Sequence, residues 1–216
     1  MLWLLIPFAF LLGSIPFGFI LGKFRGLDIR DHGSGNIGAT NVYRVVSKKS
    51  GVFCFFLDFC KGFIPVLVAD HFVGPGTTGQ VIEVCAALAA ILGHNYSPWV
   101  GFKGGKGIAT SAGALAGLMP VALVLLLTIF TVTTFVSRYV SVGSIVTAVA
   151  LPVLTIFGSY YHGKIADGTW NIPLFVFSLI AGLLAVWKHR SNISRLLAGT
   201  ENKIGSKKKS SQKPLS

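Results

Sequence analysis

An all-α bundle of membrane-spanning helices is the fold this sequence predicts. Three observations predict it. Of the 216 residues, 52% are hydrophobic and only 12% are charged, against roughly 25% charged in a soluble domain. Apolar stretches approaching the length that crosses a bilayer, about 20 residues, recur along the chain. The basic residues cluster between those stretches. So little charge cannot coat a water-facing surface. The apolar content also excludes disorder, and the 26 glycines follow no collagen period.

The elements follow in order. Residues 2–22 form the first expected span. No basic segment opens it and no small-residue cleavage site ends it, so it is expected to be a retained helix rather than a signal peptide. Residues 52–69 form the second and residues 81–93 a short third. Residues 109–136 are one apolar run of 28 residues. As a single helix it would be about 42 Å long, against a hydrocarbon core of about 30 Å. Residues 140–158 and 172–187 complete the set. Loop charge decides how the long run is used. Segments 23–50, 94–107 and 188–216 hold 16 of the 19 Lys and Arg residues, whereas 70–79 holds none and 159–171 holds one. The basic segments are therefore expected on the cytoplasmic side. An even number of spans must separate residue 107 from residue 188, so the run should reverse at Met119-Pro120, into about 109–118 and 120–136. The prediction is seven transmembrane helices, N-terminus outside and C-terminus cytoplasmic. Gly113-x-x-x-Gly117 suits the short helix to packing inside the bundle. Residues 1–205 form the membrane domain, and 206–216, with Lys207-Lys208-Lys209, a basic disordered tail.

Polar residues that loops do not require gather in the three basic segments. The first reads Gly33-Ser34-Gly35-Asn36-Ile37-Gly38-Ala39-Thr40-Asn41, then Arg44. Its glycine spacing lacks the preceding strand of a dinucleotide site. Glycines still let backbone N–H groups turn inward on an anion. Ser34, Thr40, Asn36 and Asn41 add donors, and Arg44 can clamp a phosphate. The second holds Lys103-Gly104-Gly105-Lys106-Gly107 where a helix begins. It is not a Walker A loop, because Val100 and Gly107 stand where that motif needs Gly and Ser/Thr. Charge and helix dipole nevertheless favour an anion there. The third carries His189 and Asn192, which share a face if the helix continues. A His can move a proton near neutrality, and an Asn can orient a hydroxyl. Glu201 is expected to pair with a nearby cation and hold the tail.

Within the second span Asp58 and Lys61 stand one helical turn apart. Charges in a bilayer are costly, so both should face the bundle and pair as a structural element. Cys54, Cys60 and Cys85 lie in apolar stretches, so neither a disulfide framework nor a metal site is expected.

Taken together, these segments resemble the bacterial acyl-phosphate:glycerol-3-phosphate acyltransferases, the PlsY family. The resemblance covers nearly the whole chain. It rests on Gly13-Ser14-Ile15-Pro16-Phe17-Gly18, Ser34 to Asn41 with Arg44, Asp58-x-x-Lys61-Gly62, Phe102 to Gly107 with Ala109-Thr110, and His189-x-x-Asn192 with Gly199-Thr200-Glu201. It implies a seven-span inner-membrane enzyme with its site on the cytoplasmic side. Such an enzyme moves a fatty acyl group from acyl phosphate to the sn-1 hydroxyl of glycerol 3-phosphate, giving lysophosphatidic acid and phosphate. It implies no use of acyl-CoA or acyl carrier protein, no cofactor and no metal. Ser34, Arg44, His189 and Asn192 are the implied catalytic residues. Lys103 to Gly107 are implied to hold glycerol 3-phosphate, and Glu201 is implied to be structural. The residues agree with this chemistry: two phosphates need several fixed cations, and acyl phosphate is already an activated anhydride. The expected partners are the two substrates and membrane lipid, with no nucleic acid and no obligate protein partner. A transporter of a phosphorylated metabolite would also use glycines, broken helices and basic residues. It needs cations reachable from both faces and symmetry between halves, and neither is present here. His162-x4-Asp167 has the spacing of another glycerolipid acyltransferase class, but it falls in a loop expected outside and is assigned no role.

Overall fold

The computed structural model describes residues 2–74, 76–162, 165, 168 and 170–205. Asp167 and the basic tail 206–216 lie outside the described residues. Among those described, the chain is helical and has no strand. Five helical stretches are long and apolar enough to cross a bilayer: Leu2–Lys23, Lys48–Phe72, Thr77–Val100, Pro120–Ser137 and Val140–Tyr161. A sixth results if Ile172–Lys188 and Arg190–Leu197, bent by 51°, act as one. Ile108–Leu118 is apolar but shorter.

The first stretch is not the single helix expected. It breaks into α1 (Leu5–Ser14) and α2 (Phe17–Lys23). Pro16 lacks an N–H and pushes Ile15 into an extended conformation, φ −60° and ψ 118°. The first basic segment contains a further short helix, α3 (Ala39–Val45). Next come α4 (Lys48–Phe72), capped by Ser47, which accepts from Ser50 N–H at 3.0 Å, and α5 (Thr77–Asn95). Helix α5 outruns the apolar run at both ends. Then follow α6 (Ile108–Leu118), α7 (Pro120–Ser137), α8 (Val140–Tyr161), α9 (Ile172–Lys188) and α10 (Arg190–Leu197).

The 28-residue apolar run breaks at Met119, and Pro120 opens the next helix. The chain turns back there. Ala109 and Phe130 line one cavity, whereas a straight helix would hold them about 32 Å apart. Helix α7 buries only Leu126 and Thr134, and it exposes Val121, Phe135 and Val136. That is the pattern of a helix facing lipid tails.

Small residues let the inner helices touch backbone to backbone. A Cβ on Gly62 of α4 would strike the Thr110 carbonyl of α6, and one on Gly113 of α6 would strike the Phe59 carbonyl of α4. Gly13 of α1 and Gly93 of α5 meet the facing backbones at Ala90 and Phe10 in the same reciprocal way. Around these crossings, Val66, Ile91, Leu115, Leu151 and Phe177 pack as the main apolar core.

Gly113→Val should therefore force α4 and α6 apart and destabilise the bundle by about 1–3 kcal/mol. Gly158→Val, where a side chain meets nothing within 4 Å, should leave stability unchanged. Thermal unfolding in detergent measures both, and equal midpoints for the two variants would refute the packing argument.

Candidate active site

The three basic segments converge on one cavity of about 360 Å³. The first contributes Ser34, Asn36, Gly38, Thr40, Asn41 and Arg44, the second Lys106 and Gly107, and the third His189, Asn192 and Glu201.

The first segment is held by Asn41, which is buried and at the start of α3. Its Oδ1 accepts the Ser34 N–H at 2.9 Å. Its Nδ2 donates to the carbonyls of Ile29, His32 and Asn36 at 3.2, 3.0 and 2.9 Å. Asn36 Oδ1 in turn accepts the Gly38 N–H at 2.8 Å. These two amides thus frame the loop that presents Ser34, Thr40 and Arg44. Gly35 takes a left-handed turn, φ +68°, beside Ser34, a conformation that needs no Cβ.

The second segment divides differently from its sequence. Lys106 lines the cavity, whereas Lys103 is exposed and does not. Gly104 and Gly105 do not line it either. They lie against the end of α5, where any Cβ would strike His94. Gly107, φ +80°, turns the chain into α6. Loop two is also fastened to the break in the first span. Ser97 Oγ donates to the Ser14 carbonyl at 2.6 Å, and Trp99 Nε1 donates to Ser14 Oγ at 2.8 Å.

In the third segment the helix does not continue. It bends at His189, yet His189 and Asn192 both face the cavity. His189 is 3% exposed, and its Nδ1 lies 2.8 Å from the Ala185 carbonyl. That contact assigns the proton to Nδ1 and leaves the Nε2 lone pair free. Burial, reinforced by Lys106, lowers its pKa to about 4. The imidazole is therefore neutral at pH 7.

Asn192 joins the second and third segments. Its Oδ1 accepts from Lys106 Nζ, and its Nδ2 donates to Glu201 Oε1 at 2.7 Å. Glu201 also accepts from Ser141 Oγ at 2.9 Å and from Arg195 Nε at 2.7 Å. Partial burial would raise the Glu201 pKa, but these three donors hold it below its usual value. Burial, together with Arg195, brings the Lys106 ammonium down to about 8.

Of the cations in the three basic segments, Arg44 and Lys106 are those lining the cavity among the described residues. Lys188 instead donates to the Asn95 carbonyl at 2.8 Å, and Arg190 lies 4.9 Å over the Trp187 ring. Arg195 is paired with Glu201. Besides Asn202, which follows Glu201, the polar lining includes Ser141 and Ser144 of α8, and Asp58 and His94 of α4 and α5. Sequence reasoning gave none of these four a place in the site. Serines in an apolar helix are a faint signal, and a lone His at a helix end carries none. Overall the cavity offers two cations, hydroxyl donors and a neutral imidazole, a set suited to holding phosphate beside a hydroxyl about to react.

A profile of the family described as Glycerol-3-phosphate acyltransferase matches residues 3–199. A glycerol-3-phosphate acyltransferase of Desulforamulus reducens is 47% identical, the alignment covering 93% of this chain and 94% of that protein. One from Halalkalibacterium halodurans is 41% identical over 95% of this chain and 97% of its own. A crystal structure of PlsY, an integral membrane glycerol 3-phosphate acyltransferase in its glycerol 3-phosphate form, superposes with a TM-score of 0.83 at 38% identity, covering 94% of this chain and 96% of that one. Its lysophosphatidic acid form gives a TM-score of 0.80. Matched from the first span to the last basic segment, in sequence and in fold alike, this chain belongs to the glycerol-3-phosphate acyltransferase family.

Proposed function

We propose that this protein transfers a fatty acyl group from acyl phosphate to the sn-1 hydroxyl of glycerol 3-phosphate. The products are lysophosphatidic acid and inorganic phosphate, and the step begins phospholipid synthesis. The observation that carries this reading is the convergence of Arg44, Lys106 and a neutral His189 on one cavity. The relatives support the acceptor and the product, being glycerol-3-phosphate acyltransferases with glycerol 3-phosphate and lysophosphatidic acid forms. The acyl-phosphate donor is the finer part of the proposal. It is supported by the chemistry: an activated anhydride needs no metal and no covalent intermediate. We also propose seven spans in an inner membrane, with the N-terminus outside and the site cytoplasmic. The positive-inside bias of the three segments that build the cavity supports that orientation.

In this mechanism Ser34 and Thr40 cradle one phosphate, while Arg44 and Lys106 grip the charge. The hydroxyl oxygen of the acceptor attacks the acyl carbonyl carbon. A C–O bond forms, and the bond from that carbon to the phosphate oxygen breaks. The hydroxyl proton needs an acceptor. A phosphate monoester has its second ionisation near about 6, so it is a stronger base than an imidazole held at about 4. The proton therefore ends on a substrate phosphate oxygen; His189 Nε2, which can only accept, holds the hydroxyl by its hydrogen until that hydrogen turns to the phosphate. Asn192 and Glu201 fix Lys106 against the cavity.

Three outcomes test this. Purified protein in defined lipid should form lysophosphatidic acid from glycerol 3-phosphate and palmitoyl phosphate, but not from palmitoyl-CoA; equal use of the thioester would reject the donor. His189→Ala should lower kcat by about 100-fold or more, whereas Lys106→Ala should raise KM for glycerol 3-phosphate about 10- to 100-fold. In the third, kcat/KM should fall at low pH with a limb near about 6, as phosphate gains a proton. It should fall again at high pH as Lys106 loses its proton near about 8. Bound phosphate favours the Lys106 ammonium, so the alkaline limb of kcat should lie above that of kcat/KM. An acid limb near 4 would make His189 the base instead.

A further inference from the structure

A second groove lies outside the catalytic cavity, between α3 and the first turns of α4. It is open, measures about 810 Å³, and is lined by Tyr43, Lys48, Lys49, Val52, Phe53 and Phe56. Gly51 of α4 sets its shape. A Cβ there would strike the Tyr43 backbone, so α3 lies directly on α4 and supplies the second wall. Tyr43 lines this groove, whereas its neighbour Arg44 lines the catalytic cavity. The short α3 thus separates two sites.

Lys49, Val52, Phe53 and Phe56 are spaced i, i+3, i+4 and i+7, so they form one stripe along α4. The stripe is charged at the helix start and apolar beyond it, over about 10 Å of helix axis. Val52, Phe53 and Phe56 are all exposed. Lipid tails cover such residues anywhere on a membrane bundle, so the cations are the distinguishing feature. Lys48 and Lys49 are exposed, and neither has an ion-pair or hydrogen-bond partner among the described residues. Lys23 and Arg30, by contrast, both pair with Asp28. No acidic residue lines the groove. Two uncompensated cations above an apolar wall complement an anionic head carried on apolar chains. A free phosphate would leave the wall uncovered, and a neutral lipid would leave the lysines unmet. Tyr43, apolar in its ring and polar at its tip, suits the boundary between head and chains.

We propose that the groove between α3 and α4 binds one anionic phospholipid. Its phosphate lies at Lys48 and Lys49, and its chains run along Val52, Phe53 and Phe56. The lipid is held there as a ligand and is not turned over. The inference goes beyond the acyl transfer proposed above and is tested without turnover, so the two stand or fall separately.

The test titrates purified protein in neutral detergent micelles with palmitoyl-oleoyl phosphatidylglycerol, and in parallel with the phosphatidylcholine of the same chains. Native mass spectrometry reads the Kd of the first lipid bound. A lysine near an anionic headgroup is worth about 5-fold in binding. Wild-type protein should therefore prefer phosphatidylglycerol by about 25-fold through its two lysines. Lys48→Gln and Lys49→Gln should each weaken phosphatidylglycerol binding by about 5-fold and leave phosphatidylcholine binding unchanged. Arg25→Gln removes an exposed charge outside the groove and should change either Kd by less than about 2-fold. Equal wild-type affinity for the two lipids would overturn the proposal and leave the groove as ordinary lipid-facing surface. A preference that survives both lysine variants would also overturn it, and would assign the anionic lipid to the catalytic cavity. Equal losses in Arg25→Gln and the lysine variants would overturn it as well, as the mark of diffuse surface charge. The wild-type comparison needs no variant, so it decides even where a variant fails to insert.

Discussion

A buried ammonium among apolar helices persists only where its charge and its hydrogens are met. Lys61 is 2% exposed in the middle of α4, and the rest of the bundle is arranged around satisfying it. Asp58 supplies the charge at 2.8 Å. The Ile15 carbonyl accepts a hydrogen bond at 2.8 Å, and that carbonyl is within reach because Pro16 breaks the first span there. The neighbouring Ser14 carbonyl is taken by Ser97 of loop two. One broken turn therefore joins the first span, α4 and loop two. Replacing Lys61 would leave the buried Asp58 carboxylate without its cation, which costs more than the pair itself contributes.

That junction has a consequence for the site. Loop two runs from the Ser97 anchor, past the His94 ring, to Lys106. The glycines at 104 and 105 are needed because the loop lies directly on the backbone and ring of α5. Lys106 is then held from the far side by Asn192, itself held by Glu201, which Arg195 and Ser141 secure. The cavity cation is fixed between two parts of the chain that are distant in sequence. A fixed charge needs little reorganisation as negative charge develops, and that is where electrostatic stabilisation is most effective.

The span positions were legible because apolar length is a one-dimensional property. The break at Met119-Pro120 followed from a length mismatch and a charge count. The break at Ile15-Pro16 was harder to see, although Pro16 was visible, because proline kinks and proline breaks have the same sequence. The short α3 was hidden for a related reason. Its first residues read as part of a glycine-rich phosphate loop, and nothing local shows that Asn41 serves as the frame of that loop. Lys103 and Lys106 look alike in sequence, yet only one faces the cavity. Three residues apart, in a loop with no helical repeat, their directions depend on packing against α5.

The sequence by itself determined the environment, the approximate helices and the three segments that carry charge and donors. These follow from composition and from the cost of placing charge in a bilayer, both of which act locally. It also carried a family resemblance that the whole-length match bears out. Only the tertiary structure decided which polar residues meet. It set Asn192 between Lys106 and Glu201, brought Ser141 from α8, and left His94 Nδ1 facing Asp58 across 3.7 Å. Those pairings join elements that lie far apart along the chain, so they are fixed by how helices cross and not by any local preference.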